Sequence, residues 1–170
     1  MATPAEKLAS SLSALKAIQD RQQTAIHTSD LSRTHRERLL ANGFIQEVMK
    51  GWYIPARPED TPGESTAWYA SFWGFCSDYL NRRFSDNWCL SPEQSVLLHT
   101  GNWTVPLQLL VRSTRGGNKP TNLLHNTSLF DVRLELPNDN QMDVLEGMRT
   151  FSLPAALVAC PAAFFKAQAI

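Results

Sequence analysis

Pro55, Pro58, Pro62 and Gly63 fall within nine residues of one another, and that run constrains the chain more than any other feature. Each proline fixes φ and removes a backbone donor, so no helix or central strand continues through the segment. The sequence therefore predicts a head of residues 1–58 and a body of residues 64–170, joined by the breaker run. A chain of 170 residues has material for two small domains with cores of their own. The formal net charge is zero, which by itself points to no nucleic acid. That neutrality hides a split: residues 1–58 carry eight Lys/Arg against five Asp/Glu, and the remainder carries eight against eleven. A mildly basic head on a mildly acidic body suits a DNA-contacting part joined to a part with another task.

In the head, Leu8, Leu12, Leu15 and Ile18 recur at helical spacing and predict an amphipathic helix over residues 5–22, with Pro4 just inside its start. Thr28, Ser29 and Asp30 offer capping chemistry for a second helix over 31–42, with Leu31, Leu39 and Leu40 turned inward and Asn42-Gly43 as its stop. His35 lies four residues from both Leu31 and Leu39, so it is read as packing. Ile45, Val48, Trp52 and Ile54 then favour a hairpin turned at Lys50-Gly51.

The body opens with an aromatic stretch in which Trp68, Phe72, Phe75 and Tyr79 keep helical spacing. Tyr69 and Trp73 lie off that stripe. They belong either to a helix buried on most sides or to an aromatic contact surface for a partner. Ser91-Pro92-Glu93-Gln94 reads as a capping box with Gln94 closing it, opening a helix that ends at Gly101. Strands are predicted over 105–112 and 130–136, separated by an exposed loop over 115–120. Residues 137–140 form a turn, and Ser152 caps a last helix interrupted by Pro161. The fold class is α+β: an N-terminal winged helix-turn-helix followed by a small mixed α+β domain.

Catalytic chemistry finds no footing. There is no GxSxG, Walker loop or HExxH, and His27, His35, His99 and His125 are scattered without metal-ligand pairing. Gly116-Gly117-Asn118-Lys119 lacks the remaining parts of a phosphate cradle. Asp139, Asp143 and Glu146 sit in polar turn sequence, where carboxylates are ordinarily solvated. Cys76, Cys89 and Cys160 are widely spaced and are expected to pack as small buried hydrophobes. The expectation is a non-enzyme with no cofactor and no metal. Without a leader-like N-terminus or a long apolar run, the chain is further expected to be cytoplasmic, with no membrane contact.

The segment from Ser29 to Ile54 carries the functional reading. A winged helix-turn-helix needs a support helix, a recognition helix with exposed polar and basic residues, and a hairpin beside them. These come in that order. Ser32, Arg33, Thr34, Arg36 and Glu37 crowd the first turns of the second helix, where side chains enter a major groove, and Lys50 at the hairpin tip is set to meet a phosphate. The plainer possibility is a helical packing module whose basic face is only solvated. In the body, Arg112, Arg115 and Lys119 surround the glycine loop. With Tyr69 and Trp73, they are the candidates for contact with a partner.

The passage RERLLANGFIQEVMKGWYIP resembles the N-terminal domain of AbiEi-type antitoxins, in which a helix, a Gly-hydrophobic turn and a GxY wing recur. CLSPEQSVLLHTGN with VPLQLLVRS, and later GMRTFSLPAALVA, resembles the second domain of that family. The chain also resembles the non-catalytic region that precedes the enzymatic domain in some bacterial Fic-family proteins. The Fic signature itself is missing, since His99-Thr100-Gly101-Asn102 lacks the Arg-bearing anion loop, so no Fic activity carries over. The antitoxin resemblance implies a DNA-binding regulator whose head holds double-stranded operator DNA and whose body holds a toxin-like protein. A head this small is expected to act as dimers or in tandem. The alternative is a module of a mobile element that binds no DNA and inhibits a host nucleic-acid-targeting complex, in the manner of an anti-CRISPR.

Overall fold

The computed structural model describes residues 1–168 and is mixed α+β. The chain divides into two compact units between Tyr79 and Leu80. The division therefore lies inside a helix and not in the 59–63 breaker run. The reason is packing: the breakers interrupt the backbone, yet the aromatic residues that follow them complete the first unit.

In unit 1, helix α1 (Pro4–Asp20) begins with a capping box, Thr3 and Glu6 each bonding the other's backbone. Leu15 and Ile18 of α1 join Ile26, Leu31, Leu39, Ile45 and Tyr53 in one core. Strand β1 (Ile26–His27) leads into a single 3-10 turn over Thr28–Asp30. Those three residues do not cap the next helix. Helix α2 (Arg33–Ala41) is capped by Ser32, whose backbone is extended and whose hydroxyl accepts a bond from the His35 amide at 3.1 Å. Gly43, at φ +76°, ends it.

Strands β2 (Ile45–Met49) and β3 (Trp52–Pro55) form the expected hairpin, and β1 pairs with β3 to give the order β1-β3-β2. A register shift between Glu47 and Met49 lets Ile45 and Val48, three residues apart, both be buried. Helix α3 (Thr66–Phe84) supplies the rest of unit 1 from its first turns. Trp68, Phe72 and Phe75 are wholly buried, and Trp52 meets the rings of Phe75 and Tyr79 edge-on at 6.2 and 5.0 Å. Asp78 accepts the amides of Thr24 and Ala25 at 2.6 and 2.9 Å, pinning the segment between α1 and β1 to α3.

Unit 2 contains β4 (Cys89–Leu90), α4 (Pro92–His99), β5 (Gln108–Ser113), β6 (Pro120–Asn122) and β7 (Ser128–Arg133). Its sheet has the order β4-β5-β7-β6, with β5 and β7 parallel over six residue pairs. β6 corrects the sequence reading, because the expected loop over 115–120 yields at Pro120 to an edge strand, where a missing N–H is tolerated. A second hairpin, β8 (Met142–Leu145) with β9 (Met148–Phe151), stands where no strand was predicted. Helices α5 (Leu153–Ala159) and α6 (Ala162–Gln168) follow, α5 capped by Ser152. At α4 only half of the capping box exists. Ser91 accepts the Gln94 amide, while the Gln94 side-chain nitrogen is buried without a partner among the described residues.

Cys76, Cys89 and Cys160 are all buried and unbridged. Burial disfavours the thiolate, raising all three pKa values: that of Cys89 is pushed up to about 12, and that of Cys76 higher still. Native protein treated with a disulfide reagent at neutral pH is accordingly expected to release at most one slow equivalent of chromophore, from Cys160 at the margin of the core, and three equivalents after denaturation. Rapid labelling of Cys76 or Cys89 in the folded state would contradict the packing described above. No described helix is long and apolar enough to cross a membrane.

Candidate nucleic-acid interface

The N-terminal end of α2 is presented to solvent. Ser32, Arg33, Thr34 and Glu37 are exposed, and the uncompensated amides of the first turn make this end electropositive. The hairpin follows α2 after three residues and carries Lys50, also exposed, at its turn.

The arginines are less free than their number suggests. The Arg33 Nε donates to Glu37 at 2.7 Å, an exposed pair one helical turn apart. The Arg33 hydrogen bond and charge hold the Glu37 carboxyl below the usual carboxylate range. Arg36 is half-buried and donates from Nη1 to the Thr28 carbonyl at 3.1 Å, bracing the 3-10 turn against α2. Arg38 turns away from this face and donates to the Lys7 carbonyl and the Ser11 hydroxyl, both at 2.9 Å. The same Ser11 hydroxyl lies 2.8 Å from His35 Nδ1. His35 thus joins α2 to α1, a packing role with a polar contact that apolar spacing alone does not reveal. Ser32 spends its hydroxyl on the cap. What remains available for contact is Arg33, paired but exposed, with Thr34, Glu37 and Lys50.

The partner-contact candidates scatter. In unit 1, Tyr69 is exposed and Trp73 half-buried with its ring 5.1 Å from that of Phe72, so the aromatic stripe is core and only its margin faces outward. In unit 2, Arg115 donates to the Phe84 carbonyl at 2.6 Å, and Lys119 is exposed just before β6. Their loop is far from slack. The buried Asp131 accepts from the Gly117 amide and from Arg83 at 3.1 Å, and Arg133 donates to the Gly116 carbonyl at 3.0 Å. Nothing in the sequence marks Asp131 as buried, since it shares its face of β7 with buried Leu129 on one side and exposed Arg133 on the other. It occupies an inward position of that strand, in register with Val111. Arg112 stands apart from this network, its guanidinium 5.0 Å from the centre of the Phe151 ring.

Among known proteins no family model, curated sequence or solved structure matches the chain.

Proposed function

We propose that the protein is a DNA-binding regulator of antitoxin type, whose unit 1 is a winged helix that holds duplex DNA through α2 and the β2–β3 turn. The observation that supports this most is local. A solvent-facing helix N-terminus bearing Arg33, Thr34 and Glu37 is followed at once by a hairpin tipped with Lys50, on a sheet ordered β1-β3-β2. A helix end of that kind enters a major groove, and a basic hairpin tip meets the neighbouring backbone. The exposed Arg33–Glu37 pair opens at little cost, since ion pairs in water contribute little. Arg33 then becomes available for a guanine edge and Glu37 for a cytosine amino group. Unit 2 fits a protein partner, because most of the exposed large apolar side chains belong to it.

The test is a mobility shift on the DNA upstream of the protein's own reading frame, at two salt concentrations with non-specific competitor. A competitor-resistant, salt-sensitive complex is expected. Arg33→Ala is expected to weaken it by about 1–3 kcal/mol at the matching base pair. Lys50→Ala is expected to weaken all sequences alike and lower the salt slope by about one. Arg36→Ala is a poor probe, because it also unties the Thr28 turn. A folded protein that gives no shift at micromolar concentration, or a shift indifferent to both clean variants, would leave the protein-binding role of unit 2 as the function.

A further inference from the structure

Among the described residues, unit 2 exposes seven large apolar side chains and unit 1 only two. Three of the seven, Leu110, Leu134 and Val158, border two cavities of unit 2 that share Arg112 as a common wall. The larger, about 580 Å³, is lined by Leu136, Pro154 and Val158 beside α5. The smaller, about 140 Å³, is lined by Leu110, Val132 and Leu134 on the outer face of the sheet.

Arg112 is half-buried between them. Its guanidinium stacks on the Phe151 ring and, among the described residues, makes no hydrogen bond or ion pair. Glu135 lines one cavity and Glu93 the other, yet neither comes within ion-pair distance of it. A partly desolvated guanidinium is costly when left alone, and its flat fork fits a carboxylate through two parallel hydrogen bonds.

We propose that this groove docks a segment of a partner protein in which one carboxylate sits between apolar side chains. The carboxylate pairs with Arg112, and an apolar side chain enters the cavity on either side. Glu93 and Glu135 flank the site with negative charge. They repel segments carrying further acids and favour Lys or Arg outside the apolar pair, so the recognised pattern is basic, apolar, acidic, apolar, basic. The inference rests on the reading of unit 2 as the partner-binding half and is independent of DNA binding by unit 1.

The experiment pans a phage-displayed library of random linear peptides against the immobilised full chain and measures the recovered peptides by fluorescence polarisation. Enrichment of Asp or Glu between two apolar residues is expected. Arg112→Gln is expected to weaken the recovered peptides roughly tenfold or more, with Arg112→Lys in between because it keeps the charge and loses the fork. Val158→Lys, at a position 88% exposed and so harmless to folding, is expected to weaken them as well. It carries the test if loss of the Phe151 stack unfolds Arg112→Gln. Peptides without a shared acid, equal binding by Arg112→Gln and Val158→Lys, no enrichment at all, or displacement of the peptide by duplex DNA would each overturn the proposal. The mobility shift of Arg112→Gln on upstream DNA separates the two readings, since loss of the peptide with the shift unchanged leaves DNA binding by unit 1 untouched.

Discussion

Trp68→Ala is expected to destabilise the protein by about 3–5 kcal/mol, a large share of the roughly 5–15 kcal/mol that holds a typical domain folded. The indole is wholly buried, with its ring 5.5 Å from that of Phe72 and 5.4 Å from that of Phe75, both edge-on. Truncation removes the transfer energy of the ring and leaves a void that rigid aromatic neighbours cannot fill. Urea unfolding of the full chain followed by circular dichroism measures the loss. Tyr69→Ala is the control on the same helix turn: its side chain is 42% exposed and is expected to cost under about 1 kcal/mol. Similar losses for the two variants would mean that the first turns of α3 are not the aromatic core of unit 1.

Gly116→Ala carries the second large effect, from the opposite cause. A Cβ at this position would lie 2.6 Å from the Val132 carbonyl carbon and 2.7 Å from the Arg133 nitrogen. Those atoms belong to β7, whose Val132 and Arg133 are locked into the parallel ladder with Arg112 and Ser113 of β5, while β6 pairs only with Ser128–Phe130. The neighbour therefore cannot yield, and the loop must move instead, breaking the bonds from Arg133 to Gly116 and from Gly117 to Asp131. The expected cost is about 3 kcal/mol, the upper part of the usual range for inserting one carbon into a packed site. Gly117→Ala is the comparison. Its added carbon would meet the ends of the Arg83 and Asp131 side chains at 3.2 Å, which can give by small rotations. The midpoint in urea should fall further for Gly116→Ala than for Gly117→Ala. The reverse order would show that the loop, and not β7, is the rigid partner.

These two sites differ in how legible they are. The aromatic spacing from Trp68 to Tyr79 reveals a buried helix stripe, because helix periodicity is local. Gly116 reads as half of a flexible Gly-Gly loop, since nothing adjacent in the chain discloses that another strand's backbone passes within a carbon's width. The interface divides in the same way. Exposure of Ser32, Arg33, Thr34, Glu37 and Lys50 follows from the pattern around them. The diversion of Arg36 to the Thr28 carbonyl and of Arg38 to α1 depends on acceptors eight and 31 residues away. Three arginines that look alike in one short helix thus have three different occupations. In unit 2, Arg112, Arg115 and Lys119 look like one basic loop, yet Arg112 belongs to β5 and to an apolar groove.

The sequence by itself determined where most of the helices lie, the β2–β3 hairpin and the α+β class. Each of these is decided within a few residues by caps, breakers and periodicity. The tertiary structure alone decided where the chain divides, that Pro120 starts a strand, that β8 and β9 pair, that Asp131 is buried, and which arginines remain available. Those outcomes depend on contacts between segments far apart in the chain, and residue spacing carries no record of which segment will arrive opposite.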